Sequence, residues 1–115
     1  MAVALNQTNN TDSVTIFRLA GEIGSSEMDA VLRMMNDVIL QSRSEMVLNF
    51  AHVSHVALDA ISTLAQRKER FRTLGGDIKL VGLAPYVANL FKLVGAFSYF
   101  EILSSEEEAV ARFES

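Results

Sequence analysis

The chain has 115 residues, half of them apolar, enough to enclose one core and too few for two comfortable ones. It contains no cysteine, which excludes disulfide staples, thiolate nucleophiles and cysteine-ligated metals and fits a reducing, cytoplasmic setting. A net charge of -4 argues against a nucleic-acid partner, and no run nears the roughly 18 consecutive apolar residues of a membrane span, so a soluble protein without direct membrane insertion is expected.

Ala2 to Gln7 and Ser13 to Ala20 read as strands joined by the turn-rich Asn9-Asn10-Thr11-Asp12, which predicts a hairpin. In the second strand Val14, Ile16 and Arg18 share one face and Thr15, Phe17 and Leu19 the other. After Gly21-Glu22-Ile23-Gly24, Ser26 with Asp29 three residues on resembles a capping box. Met28, Val31, Leu32, Met35, Val38 and Ile39 then form a helical stripe, predicting a helix from about Glu27 to Ser42. Glu45 to Phe50 supplies a strand, and Leu58 to Leu74 a helix whose inner face is Ile61, Leu64, Ala65, the stem of Lys68, and Phe71. Gly75-Gly76 ends it.

Asp77 to Gly82 is the next strand. Pro85 suits a first helical turn, where its missing N–H costs nothing, and Val87, Leu90, Phe91 and Val94 mark the buried side of a helix that Gly95 stops. Tyr99 to Leu103 reads as a last strand, and Ser105-Glu106-Glu107-Glu108 as a capping box opening a terminal helix with Val110 and Phe113 inward. Strands alternating with helices predict an α/β sheet with parallel members in a single domain spanning 1–115.

The stretch from Asn49 to Ser62 carries the functional signal. A strand passes through a short loop into a helix start, where free N–H groups and the helix dipole favour a phosphate, a carboxylate or a partner's side chain. That pattern describes a binding or switch surface. Arg67, Lys68, Arg70 and Arg72 are interrupted by Glu69 and Phe71 and read as a solvated helix face. His52 and His55 have HxxH spacing with Asp59 beyond, but no further Cys or His completes a closed metal site, so no metal is expected. No nucleophile elbow, phosphate loop or dinucleotide fingerprint is present, so neither catalysis nor a cofactor is expected.

Four phrases resemble the STAS family, the anti-sigma-factor-antagonist domain. They are Phe17-Arg18-Leu19-Ala20-Gly21-Glu22-Ile23, Met46-Val47-Leu48-Asn49-Phe50, the run from Leu74-Gly75-Gly76 to Leu83, and Leu90-Phe91-Lys92-Leu93-Val94-Gly95. The resemblance covers nearly the whole chain without a gap between Asn49 and Gly76. It implies a mixed central sheet with about four helices packed mostly on one side, and a partner-binding surface around the start of the second helix.

Many members of that family carry Asp-Ser-Ser/Ala-Gly there, with the first Ser phosphorylated by an anti-sigma kinase. Ala57, Leu58, Asp59 and Ala60 fall on those positions, so the phosphoacceptor position holds Leu58, which has no hydroxyl. Ser62 and Ser54 are the remaining candidate acceptors. Asp59 reads either as a first-turn carboxylate that stabilises the helix by about 0.3–1 kcal/mol or as fixed negative charge in a partner contact. Leu58 reads either as an exposed partner anchor or as an inward staple.

The expected site is therefore Ser54, His55, Ala57, Leu58, Asp59 and Ser62, with Glu22 and Ser25 beside it. The resemblance implies a non-enzymatic, cytoplasmic protein-binding regulator whose partner is an anti-sigma factor or kinase-like regulator. Two alternatives stay open: an accessory STAS subunit of a membrane lipid ABC transporter, and a self-associating scaffold subunit of a signalling assembly.

Overall fold

Segments with a period of two pair into a sheet and segments with a helical period cover it. The computed structural model describes residues 6–8 and 13–114. In chain order the elements are β1 (Asn6–Thr8), β2 (Val14–Ile23), α1 (Ser25–Leu40), β3 (Glu45–Val56), α2 (Leu58–Thr73), β4 (Asp77–Val81) and α3 (Pro85–Leu93). A 3-10 turn (Phe97–Tyr99), β5 (Ile102–Leu103) and α4 (Glu106–Glu114) follow. The strands lie in the order β1-β2-β3-β4-β5. β1 runs antiparallel to β2 and the remaining pairs are parallel, so the sheet is mixed. The turn expected at Asn9 to Asp12 lies outside the described residues, as does most of the strand expected from Ala2.

Parallel neighbours that follow one another in sequence need crossovers of one hand, which puts their connecting helices on the same face. Accordingly α1, α2 and α3 share one apolar cluster with Phe17, Leu19, Met46, Leu48, Phe50, Ile78 and Leu80. The opposite face carries Val14, Ile16, Val47, Val81 and Leu103, covered by Ala109 and Val110 of α4 with Phe113 against them. The alternation expected for β2 holds, with Thr15 and Phe17 on one face and Val14 and Ile16 on the other.

β3 is longer than its sequence pattern indicates. The strand expected to stop at Phe50 continues to Val56, and β2 reaches Ile23. Between Arg18 and Ala20 of β2 the partner strand advances from Asn49 to His52, and between Gly21 and Glu22 it advances from Val53 to His55. Each irregularity inserts a residue and resets which face is inward, so the buried positions become Phe50, Val53 and Val56. That spacing breaks strict alternation and makes the segment read as a loop.

The expected strand from Tyr99 to Leu103 narrows to Ile102–Leu103. Phe100 packs edge-on against Phe91, with ring centroids 5.9 Å apart, and the residues before it coil into the 3-10 turn. α1 starts at Ser25, ahead of the expected Ser26 box: Glu27 Oε1 accepts the Gly24 N–H at 2.9 Å. That bond holds the Glu27 carboxyl below the usual range. For α4 the expected box forms in part: the Glu108 N–H donates to Ser105 Oγ at 3.1 Å, but the Glu108 carboxylate accepts from Ser104 N–H, one residue ahead of the cap, also at 3.1 Å.

α2 ends in paired bonds from Gly75 N–H to Arg72 O (3.0 Å) and Gly76 N–H to Phe71 O (3.0 Å). Gly75 has φ +90°, and a Cβ on Gly76 would lie 1.7 Å from Ser44 O, so both glycines are required there. Lys68 is more deeply placed than a buried stem implies. The whole residue is 2% exposed, its ammonium pairs with Asp77, and it lies 5.4 Å and 5.6 Å from the ring centroids of Tyr99 and Phe100. This pins α2 to the start of β4 and to the 3-10 turn.

Candidate functional site

The carboxyl ends of β2 and β3 pass into helices with one residue between, Gly24 in the first case and Ala57 in the second. The Ala57 N–H donates to Ile23 O at 2.9 Å, which ties the two strand ends together. Ala57 takes an extended conformation, φ -65° and ψ 144°, and serves as the N-cap of α2 without a side-chain bond. Leu58 is therefore the first helical residue, and it is 45% exposed. Of the two readings of Leu58, the structure has the side chain outward.

Two polar pairs flank it. Ser25, at the start of α1, donates its hydroxyl to Asp59 Oδ2 at 3.3 Å. On the other side His55 Nδ1 lies 2.9 Å from the Tyr86 hydroxyl, with the rings stacked at 5.8 Å. Tyr86 is the second residue of α3, so the amino ends of α1, α2 and α3 meet at one edge of the sheet. Their dipoles and uncapped N–H groups favour acceptor groups and negative charge from outside. Asp59 sits in the first turn but is not the cap; its carboxylate turns sideways to Ser25.

The structure thus brings Ser25, His55, Ala57, Leu58 and Asp59 to one edge. Glu22 pairs with His55 in the β2–β3 register and is exposed, and Ser54 is exposed on β3. Ser62 lies one turn further along α2, with its hydroxyl 3.4 Å from Leu58 O. It lines a cleft of about 270 Å³ with Ala65, Val94, Gly95, Ala96 and Tyr99. A second cleft, about 180 Å³, lies between α1 and α2 and is lined by Ser25, Met28, Asp29, Leu32, Asp59, Ala60 and Thr63.

Tyr86, Tyr99 and Asp29 are the residues that sequence reasoning missed. Tyr86 had a readable signal: with Val87, Leu90 and Phe91 facing inward, it is left outside, and it is 53% exposed. Tyr99 had none, because its position depends on the 3-10 turn and on Lys68 beneath its ring. Asp29, expected in a box with Ser26, lines the cleft between α1 and α2 instead, because the box forms between Gly24 and Glu27. Among the described residues no group of three or more His, Cys, Asp or Glu converges to hold a metal ion, and no helix is long and apolar enough to cross a membrane.

A mixed sheet with three helices on one face and their amino ends at a common edge defines an open-edged α/β domain. The STAS domain family matches residues 6–109, and the chain belongs to that family. It is 21% identical over 104 residues, 90% of each chain, to BtrV of Bordetella bronchiseptica, assigned as an anti-sigma factor antagonist. Its fold is similar to that of the anti-sigma factor antagonist SpoIIAA in its unphosphorylated form, with TM-score 0.82, 20% identity and 96% of both chains covered. It is also similar to part of the murine anion transporter Slc26a9, with TM-score 0.71, 19% identity, 98% of this chain covered and 22% of that one.

Proposed function

We propose that this chain is a protein-binding regulator of the anti-sigma-factor-antagonist type, without catalytic chemistry of its own, acting in the cytoplasm. It docks on an anti-sigma factor or kinase-like partner through Leu58 and Asp59, with Ser25, Glu22, Ser54, His55, Ala57 and Ser62 around them. The observation that carries this reading is the outward Leu58 at the first position of α2, set between the Ser25–Asp59 and His55–Tyr86 pairs. An apolar side chain ringed by polar groups at an uncapped helix start has the make-up of an interface anchor.

With leucine at the position where the family resemblance places the phosphoacceptor, phosphorylation there does not release the partner. Control passes to the amounts of the two proteins, to modification of the partner, or to a competing relative. The test is affinity capture from the source organism's lysate with mass spectrometry, comparing the native chain with a folded Leu58→Arg/Asp59→Lys variant. A kinase-like anti-sigma factor retained by the native chain and lost by the variant is the expected result. Identical captures by both, or capture of transporter subunits or other STAS proteins instead, would overturn it.

A further inference from the structure

Helices α3 and α4 are both 9 residues long and hold to opposite faces of the sheet by different means. α3 buries Val87, Leu90 and Phe91, whereas α4 buries the smaller Ala109 and Val110, with Phe113 half-buried beside them. No residue of α4 belongs to the apolar cluster under α1, α2 and α3, so that cluster is complete without it. What α4 lacks in apolar area is made up at its first residue. Glu106 accepts a forked pair of bonds from Arg18 of β2 and a third from Asn49 of β3, and its side chain is only 16% exposed.

Departure of α4 strands no charge. The Arg18 side chain is 43% exposed and meets water once Glu106 leaves. Lys79 gives up the Phe113 ring, whose centroid is 4.5 Å from its ammonium, but keeps Glu101 at 2.6 Å and Asp77 at 3.7 Å. Glu101 in turn loses Arg112 and keeps Lys79. The capping bonds among Ser104, Ser105 and Glu108 lie within the helix and the two residues before it, and they hold nothing to the sheet. Release therefore costs a small apolar contact and the bonds of Glu106 and Arg112, far less than opening the sheet. We propose that α4 is a strap that releases from the sheet as a unit while the rest of the domain stays folded, with Glu106 as its latch. A helix this short does not hold in water by itself, so α4 unwinds on release. Release uncovers Val14, Ile16, Val47, Val81 and Leu103 with Arg18 and Lys79 at their margin, an apolar face with a basic edge that the closed domain does not present.

The test is amide hydrogen exchange of the full chain, read by NMR at one pH across low urea concentrations that leave the protein folded. The amides of Ala109, Val110 and Ala111 are expected to be protected at least about tenfold less than those of Val47 and Leu48 in the centre of β3. Their urea dependence should be less than about half as steep, because little surface opens. Ile61→Val, in the cluster on the far face, is expected to lower protection in β3 roughly 2- to 10-fold and to leave that of α4 unchanged. Glu106→Gln should lower protection in α4 about tenfold. Protection in α4 within about tenfold of β3, equal urea slopes, parallel losses with Ile61→Val, or indifference of α4 to Glu106→Gln would each overturn the proposal. Weak protection confined to Arg112 and later amides would do so too, since that is fraying of a helix end. The difference in slope between α4 and β3 is read on the native chain alone, so the result does not depend on either variant folding.

Discussion

The face of the sheet under α1, α2 and α3 buries Phe17, Leu48, Phe50, Leu64, Phe71 and Phe91, with Lys68 and its partner Asp77 at the margin. The face under α4 is a smaller cluster of Val14, Ile16, Val47, Val81, Leu103, Ala109 and Val110, rimmed by ion pairs. There Glu106 accepts from Arg18 at 2.8 Å and 2.7 Å and from Asn49 at 2.7 Å. Glu101 pairs with Lys79 at 2.6 Å and also with Arg112. One face is closed by three helices and apolar area, the other by one short helix whose apolar side must be supplemented by charge. The first contribution is indifferent to protonation, and the second depends on it.

The largest expected effect breaks the apolar face. The Phe91 ring is fully buried and meets Phe50 and Phe100 edge-on, each at 5.9 Å. Phe91→Ala should cost about 3–5 kcal/mol, a large share of the roughly 5–15 kcal/mol a domain has. Urea unfolding measures it as a shift in midpoint at constant slope. A loss under about 1 kcal/mol would mean that this cluster is not what holds α3 to the sheet.

A smaller and pH-dependent effect is expected on the other face. Hydrogen bonds from Arg18 and then Asn49 hold the Glu106 carboxyl below its usual range against the opposing effect of burial, and Lys79 with Arg112 does the same for Glu101. A carboxyl lowered in the folded state adds stability that is present above its unfolded pKa and is lost as pH falls through the folded one. Glu106→Gln should cost about 1–2 kcal/mol near neutral pH, because it weakens charge-assisted bonds at a group 16% exposed. It should also flatten the fall in stability on the acid side of about pH 5. Phe91→Ala should instead run parallel to the native protein over that range. Parallel acid limbs for all three proteins would place the acid sensitivity elsewhere.

The same contrast explains what the sequence let one read. The apolar face was legible because α1, α2 and α3 keep a helical stripe and β2, β3 and β4 keep alternation up to Phe50. The order of elements together with the four phrases carried the resemblance to the STAS family, and the family match bears that reading out. Past Phe50 the two register shifts hid a strand, and the pull of Phe100 toward Phe91 hid the 3-10 turn. The ion pairs of Arg18 with Glu106 and Lys79 with Glu101 join residues far apart in the chain, and no periodicity reports them. The start of α2 at Leu58 was legible because its pattern is local. Tyr86 and Asp29 reach it only through the packing of α3 and α1.

The smallest expected effect lies at the site itself, where neither face has a claim on the side chain. Leu58 is 45% exposed, whereas Ala60 and Ile61 on the same turn of α2 are buried. Leu58→Ala should therefore shift stability by no more than about 0.5 kcal/mol, as surface substitutions do. Ile61→Ala, three positions along, should cost about 2–5 kcal/mol. Thermal unfolding of the two variants side by side checks this. A loss above about 1 kcal/mol at Leu58 would make it a staple that sets the entry angle of the helix, and would remove the main argument for its outward role. A near-zero loss leaves an apolar side chain on the surface that the fold does not use, at an edge where three helix starts meet, as the proposed docking role requires.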